Sequence, residues 1–529
     1  MDIDCISYQK SGYFSKLIVE YLDGNPALQS LYHRSPKLEN FLLQLEEKQQ
    51  NFPFEKREVL VNSLQKQYSS TKTSEFTKSN IQLLKSDKTF TITTGHQLNL
   101  FSGPLYFLYK IISTINLCKQ LKANYPSYNF VPIYWMATED HDFEEINHFH
   151  FKGKKISWNK ETSGPVGRLS TNGLDEVFEV FEKELGIGNN ANYLKDLFQK
   201  SYLEHKNLTE ATRYLANELF QNEGLVIIDG DDVDLKKIFA PYVERELTEQ
   251  VSFQKVNETS KLLESYNIQV NPREINLFYI QDNLRERIVF EDNIFVVNNT
   301  DIRFSKDEIL AELENHPERF SPNVILRPLY QEVVLPNLCY IGGGGEIAYW
   351  LELKSNFEAN AVPFPILLVR NSVLLATKKQ IEKAQKLNLK MADLFQKQNE
   401  LLNNKTKEIS NFNIDFSAQK EFLKQQFENL YSIAEQTDIS FKNAVKAQEV
   451  KQTKGLDNLE KRLLKAEKRK LADQLQRMKQ IQDELFPNQG LQERKNNFSE
   501  FYLEFGDDLI QRLLNELKPL EQEFKVITF

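Results

Sequence analysis

Thr89-Phe90-Thr91-Ile92-Thr93-Thr94-Gly95-His96-Gln97 is the stretch on which the fold turns. Its β-branched and aromatic residues through Thr93 read as a strand, with Gly95 and His96 where that strand must end. After Gly103-Pro104, residues 105–121 carry Leu108, Ile111, Ile112, Ile115 and Leu117 at helical spacing. Asn129-Phe130-Val131-Pro132-Ile133-Tyr134-Trp135-Met136 is a second buried strand. Strand, glycine-bearing turn, helix and strand make the βαβ unit of a parallel sheet. Ligands of open α/β sheets bind beyond the carboxyl ends of the strands. Residues 94–97 and 139–142 therefore stand where a site is expected.

Working outward, residues 1–85 read as helices, with Phe41, Leu42, Leu45 and Leu60, Val61, Leu64 at helical spacing. Residues 149–158 suggest a strand pair, and helices follow at 174–185 and 192–223. Leu225-Val226-Ile227-Ile228 is a further strand, closed by the acidic turn Asp229-Gly230-Asp231-Asp232 and followed by helices at 235–247 and 258–266. Residues 276–305 read as antiparallel strands with a hairpin turn at Glu291-Asp292-Asn293. Strands at 337–341 and 363–369 return the chain to the sheet. Between them, Gly342-Gly343-Gly344-Gly345 predicts a loop closing on a ligand, and Glu346 opens a helix through about Phe357.

Past Val373 glycine and proline almost vanish while Lys, Glu, Gln and Leu dominate. A helix over about 373–410 and a second carrying Leu456, Leu459, Leu463, Leu471, Leu475, Met478 and Leu485 predict an antiparallel coiled-coil arm. Gly455 is expected to interrupt its register, and Pro487-Asn488-Gln489-Gly490 to stop it. The basic run Lys461, Arg462, Lys465, Lys468, Arg469 and Lys470 reads as a solvated face or an anion-binding wall. Helices and a strand at 525–529 finish the chain. The expected organisation is 1–150, N-terminal helices and the first half of the core; 151–222, a first inserted module; 223–270, core continuation; 271–320, a β-rich inserted module; 321–372, core with the glycine loop; 373–490, the arm; and 491–529, helices returning to the core.

Composition narrows the class. A net charge of −9 argues against a nucleic-acid-coating protein. Cys5, Cys118 and Cys339 lack paired spacing, so neither a disulfide framework nor a structural zinc site is expected. No apolar run reaches membrane-spanning length, and the N-terminus lacks a signal-peptide core, so a cytoplasmic protein is expected.

Three constellations could carry chemistry. In the first, His96 beside Gly95 at a strand end before a helix can meet phosphate, or can be an incidental residue of a tight turn. In the second, Glu139-Asp140-His141-Asp142 with His148 groups carboxylates around an imidazole. That suits acid/base work, amine recognition or a hard cation, or is a solvated acidic loop. In the third, Arg327 can grip a carboxylate or phosphate by two donors near the glycine run. Candidate catalytic residues are His96, Asp140, His141 and Asp142. Candidate substrate or nucleotide contacts are Thr94, Gly95, Gln97, Gly103, Lys110, Glu139, His148, Arg327, Gln331, Gly343, Gly344, Glu346 and Tyr349. No residue set is assigned to a metal.

Three ordered stretches together resemble one family: 94–112 with Gly95-His96-Gln97 and Gly103-Pro104; 135–148 with Trp135-Met136-Ala137-Thr138-Glu139-Asp140-His141-Asp142-Phe143; and 327–350 with Arg327-Pro328-Leu329-Tyr330-Gln331 and Gly342-Gly343-Gly344-Gly345-Glu346. The family is the cysteine ligase of bacillithiol biosynthesis, BshC, and the likeness spans the chain. It implies an α/β Rossmann-like core with inserted connecting-peptide modules and an α-helical coiled-coil arm that forms a homodimer. It also implies joining of cysteine to glucosaminyl malate, with ATP or ADP, and with it Mg²⁺, as the expected cofactor. Two rival readings are a metal-assisted hydrolase using Glu139, Asp140, His141 and His148, and a non-catalytic coiled-coil dimer that binds a metabolite.

Overall fold

The computed structural model describes residues 3–529. The chain divides into two compact units: Cys5–Leu374 with Gln492–Lys525, and Leu375–Leu491 with the two chain ends.

The larger unit is built on five parallel strands: β1 (Thr89–His96), β2 (Asn129–Met136), β3 (Val226–Asp229), β4 (Asn337–Gly342) and β5 (Ile366–Val369). Their order across the sheet is β5-β4-β1-β2-β3, every neighbouring pair parallel. This is the doubly wound arrangement, and the order reverses between β1 and β4. All eight residues of β1 are buried, as a central parallel strand covered on both faces requires. Phe90, Ile92, Leu117, Cys118, Phe130, Cys339, Ile341 and Ile366 share one apolar cluster, so Cys118 and Cys339 are packing residues.

Helix α1 (Tyr106–Asn124) makes the crossover from β1 to β2. Helix α2 (Val233–Glu249) follows β3, helix α3 (Arg327–Val334) precedes β4, and helix α4 (Gly344–Trp350) follows it. The inserted β module is an antiparallel sheet of four strands over 277–304 with Phe320–Pro322 added as the fifth at one edge. Asp292 and Asn293 both take positive φ in its hairpin turn, which is why short polar residues stand there.

Several expectations need correction. A strand, Ile3–Ser7, precedes the N-terminal helices. The helix expected over 192–223 is two helices, Asn189–Tyr202 and Leu208–Phe220. The four-glycine run is not an open loop. Gly342 ends β4, Gly343 caps α4 and Gly344 already lies in its first turn, none with positive φ. Close packing explains two of them: an added Cβ at Gly342 would fall 3.0 Å from Tyr340 Cε1, and one at Gly344 3.3 Å from Phe14.

The segment expected as one helix over 373–410 opens instead on a strand (Ser372–Ala376), followed by short helices at Lys378–Lys386 and Gln398–Ile409. The arm's antiparallel pair is Ser417–Ala434 against Ile439–Lys470. Cross-links at increasing sequence separation set the antiparallel sense: Tyr431 to Glu449 at 2.8 Å, then Lys420 to Glu460 at 2.8 Å. Phe427, Ala434 and Val445 form its buried seam. Gly455 does not break the helix, because backbone hydrogen bonding continues through it on an exposed face.

Two glycines give opposite predictions. Gly103 has φ +61°, and an added Cβ would stand 2.6 Å from Asn99 Cβ. Gly103→Ala is expected to cost at least about 2 kcal/mol, read from the urea unfolding midpoint. Gly455 has open space around it. Gly455→Ala is expected to stabilise the arm by about 0.5–1 kcal/mol, read as slower amide exchange along the flanking helix.

Candidate functional site

The reversal between β1 and β4 brings the first and third constellations together. Gly95 has no side chain because Tyr340 Oη would stand 3.2 Å, and Arg327 Nη1 3.8 Å, from a Cβ there. Lys110, on the first turns of α1, donates to Gly95 O at 2.7 Å and pairs with Glu346 at 2.6 Å. Glu346 also accepts from Gly343 N and from Tyr340 Oη, each at 2.8 Å. Burial pushes the Glu346 carboxyl up, but Lys110 and these donors outweigh it and leave it below its ordinary value. Burial draws the Lys110 ammonium down, and Glu346 offsets only part of that.

Two guanidiniums complete the cluster. Arg327 donates to Gln331 Oε1 at 3.1 Å and lies 5.7 Å from the Tyr340 ring centre, with Tyr349 against the same group. Arg370 donates from its backbone to Gly342 O at 2.8 Å and from Nη2 to Glu493 Oε1 at 2.7 Å. Arg327 Nη2 and Arg370 Nε are buried without a hydrogen-bond partner. Lys110, Arg327 and Arg370 thus face Glu346 and Glu493, one cation more than carboxylate, with donors to spare. An anion is one partner that satisfies such buried donors.

His96 packs edge-on to Tyr106 at 5.4 Å and against Phe107 at 5.0 Å. Burial holds its pKa down to about 3, Lys110 adding to the effect. One ring nitrogen bonds the Ser102 backbone and Nε2 has no partner. The segment after it is strained: Phe101 and Ser102 take φ of 47° and 67°, uncommon for residues other than glycine. Distant groups hold it there. Tyr202 Oη accepts from Phe101 N at 2.8 Å, and Asn497 Nδ2 donates to Phe101 O at 2.7 Å and Gly103 O at 2.5 Å.

The second constellation sits beyond β2, one strand away. Gln97 Nε2 joins the two, donating to Asp140 Oδ2 at 3.2 Å and Glu145 Oε2 at 3.0 Å. Arg285, from the β module, stacks 3.9 Å over Phe278 and donates to His141 Nδ1 at 2.5 Å. Burial pushes Asp140 up, but His141, Arg285 and Gln97 win and bring it to about 2. Burial and the Asp140 charge push Asp142 up. Glu139 pairs with Lys236, which also donates to Phe320 O at 2.5 Å.

The predicted residues thus separate by role. Lys110, Glu346, Arg327, Gln331 and Tyr349 meet His96 and Gly95 at the reversal. Thr94 Oγ1 donates to Ile341 O at 2.7 Å and Gly103 shapes the turn, so both are scaffold. His148 bonds Asn147 and faces His150 at 5.6 Å, away from Asp140. Ligand atoms of Asp140, His141 and Asp142 lie within 4.8 Å of one another, but Arg285 already takes the Nδ1 lone pair of His141. The four-residue hydrolase cluster of Glu139, Asp140, His141 and His148 is therefore not assembled. His96 is turned into the core and His141 to the surface.

Arg370, Glu493, Lys236 and Arg285 escaped the sequence reading. Arg370 did carry a signal, a charge directly ending the apolar run 363–369. Arg285 carried none, since exposed arginines are common on strands of small sheets.

Comparison with known proteins agrees with the fold. Residues 1–371 match the family description "Bacillithiol biosynthesis BshC, N-terminal Rossmann-like domain", and residues 373–529 match "Bacillithiol biosynthesis BshC, C-terminal coiled-coil domain". A protein of Flavobacterium johnsoniae is 66% identical over 528 residues, covering 100% of both chains. One of Flavobacterium psychrophilum is 62% identical, covering 100% of this chain and 99% of that one. One of Bacillus cereus is 27% identical over 99% of each. All three carry the name "Putative cysteine ligase BshC". With both regions matched in order and full-length relatives well above 30% identity, the chain belongs to the bacillithiol biosynthesis BshC family.

Proposed function

We propose that this protein is the cytoplasmic ligase that joins the carboxyl of L-cysteine to the amine of glucosaminyl malate, the last step of bacillithiol biosynthesis. The observation that carries the reading is the cluster of Lys110, Arg327 and Arg370 at the strand reversal, with two guanidinium nitrogens unpartnered. Two-pronged donors of this kind recognise carboxylates, which both substrates bear. With Arg327 and Arg370 assigned to the malate carboxylates, Lys110 is the cation beside them that the phosphates of an adenine nucleotide would meet. Such a nucleotide, if bound there, would supply activation of the cysteine carboxyl. Asp142, whose side chain is half exposed at the strand end, would be the carboxylate to meet any Mg²⁺ that accompanies it.

The protein's own groups then orient and neutralise. Arg327 and Arg370 balance carboxylate charge in a setting from which water is largely excluded, where such pairing is strong. Glu346 keeps Lys110 aimed at the strand end. With its Nδ1–H on Ser102 O, neutral His96 presents Nε2 as a buried acceptor for a substrate donor. Asp140 and His141, stiffened by Arg285, stand one strand away on the side from which the amine approaches. The arm, through a second copy, forms the dimer: Phe422 and Leu459 are 64% and 53% exposed and line an apolar groove on it.

Purified protein incubated with cysteine, glucosaminyl malate and ATP is expected to form bacillithiol, detected by mass spectrometry; no product with every candidate nucleotide and Mg²⁺ supplied contradicts the reading. Arg327→Lys keeps the charge but loses the fork, and is expected to lower kcat/KM at least about 10-fold. His96 is expected to stay neutral from about pH 5 to pH 8, its imidazole ¹⁵N shifts unchanged, because burial disfavours the cation. A midpoint in that range sinks this placement. Phe422→Asp with Leu459→Asp is expected to convert a dimer to a monomer in light scattering.

A further inference from the structure

The acidic turn Asp229-Gly230-Asp231-Asp232 at the end of β3 plays no part in the strand-reversal cluster. A cleft of about 970 Å³ opens beside it. Its polar lining comes from four separate stretches, near residues 66–70, 160–170, 207–213 and 229–231, with Asp282 and Asn283 at the rim.

The wall that carries Arg168 is fixed to the candidate site. Gly167 N donates to Thr138 O at 2.8 Å, and Val166 N to Asp140 O at 2.7 Å. A side chain at Gly167 would put its Cβ 2.5 Å from Thr209 Oγ1 and 2.7 Å from Thr138 Cβ, so glycine is required for this contact. The cleft and the Asp140–His141 cluster therefore share the loop 138–140.

The cations of the cleft are mostly spent. Arg168 forks onto Asp231 at 2.8 and 2.9 Å and reaches Asp282 at 3.0 Å. Arg213 donates to Ile227 O and to Gln67 Oε1 at 3.0 Å. Asp229 differs. Its Oδ1 accepts from Thr138 Oγ1 and from Asp231 N at 2.9 Å, while its Oδ2 has no hydrogen-bond partner among the described residues. Burial pushes this carboxyl up and the Asp231 charge adds to it, while Thr138 and Arg213 offset only part. A half-buried carboxylate with a free oxygen and a neighbouring like charge is stabilised by an incoming cation. Around it, serine, threonine and asparagine side chains supply neutral donors and acceptors.

We propose that this cleft binds the amine-bearing sugar of the acceptor substrate, with the Asp229 carboxylate taking the ammonium and the neighbouring hydroxyl and amide side chains taking the sugar hydroxyls. The assignment rests on the ligase reading above and adds to it the place of the amine. Two strand spacings, roughly 10 Å, separate the end of β3 from the end of β1.

The test is calorimetric titration of the full-length protein with glucosaminyl malate, methyl glucosaminide and methyl N-acetylglucosaminide. Wild type is expected to prefer the free amine over the N-acetyl sugar at least 10-fold. Asp229→Asn, which preserves the Thr138 and Asp231 contacts at Oδ1, is expected to abolish that preference with an unchanged melting temperature. Ser70→Trp, placed on the exposed lip of the cleft, is expected to weaken both sugars by steric filling and covers the case in which the first variant misfolds. Glucosaminyl malate binding wild type and both variants alike overturns the cleft assignment and leaves the ligase reading standing. No binding of glucosaminyl malate to wild type overturns both.

Discussion

Lys110 carries its ammonium into the interior at the point where the strand order reverses, and Glu346 answers it. Removing one partner of such a buried pair costs about 3–5 kcal/mol, because the other charge is left in a poor solvent. The pair joins the helix after β1 to the helix after β4, so the two halves of the doubly wound sheet are locked where ligands bind in this architecture. The same two side chains fix Gly95 O, Gly343 N and Tyr340 Oη. Arg370 is answered by Glu493, so Arg327 enters an already neutralised setting as the surplus charge. The cluster's appetite for an anion follows from that surplus.

The strain beside His96 shows what the rest of the chain contributes. Positive φ at consecutive non-glycine residues persists only when surrounding contacts over-determine it. Here Tyr202 comes from the first inserted module and Asn497 from the segment that returns after the arm, both hydrogen-bonded to the backbone of Phe101 or Gly103. Phe101 itself is buried among Phe149, Phe181, Phe198 and Phe498. Glu493, from the same returning segment, orients Arg370. The β module supplies Arg285 to the second strand end in the same way.

Local pattern made the sheet legible. Runs of β-branched, aromatic and apolar residues bounded by turn residues locate β1, β2, β3, β4 and β5, because a parallel strand covered on both faces does not alternate polar and apolar positions. The glycine run was less transparent. Four adjacent glycines read as a flexible loop, whereas tight packing against Tyr340 and Phe14 and the cap made by Glu346 turn them into the start of a helix. In the arm, lysine-rich composition fixed the helical state but not the breaks, since the strand at Ser372–Ala376 is held by tertiary contacts rather than propensity. At the site, residues inside motifs were found, whereas Arg370, Glu493, Lys236 and Arg285 depend on chain segments 97 or more residues apart meeting in space. His148 failed for the opposite reason: proximity in sequence to Asp140 did not place its ring there.

A crystal structure of the protein with glucosaminyl malate bound tests the central claim most directly. The account predicts the malate carboxylates within hydrogen-bond distance of Arg327 and Arg370 at the reversal between β1 and β4. Carboxylates seated elsewhere, with Arg327 Nη2 and Arg370 Nε still unpartnered, would contradict it.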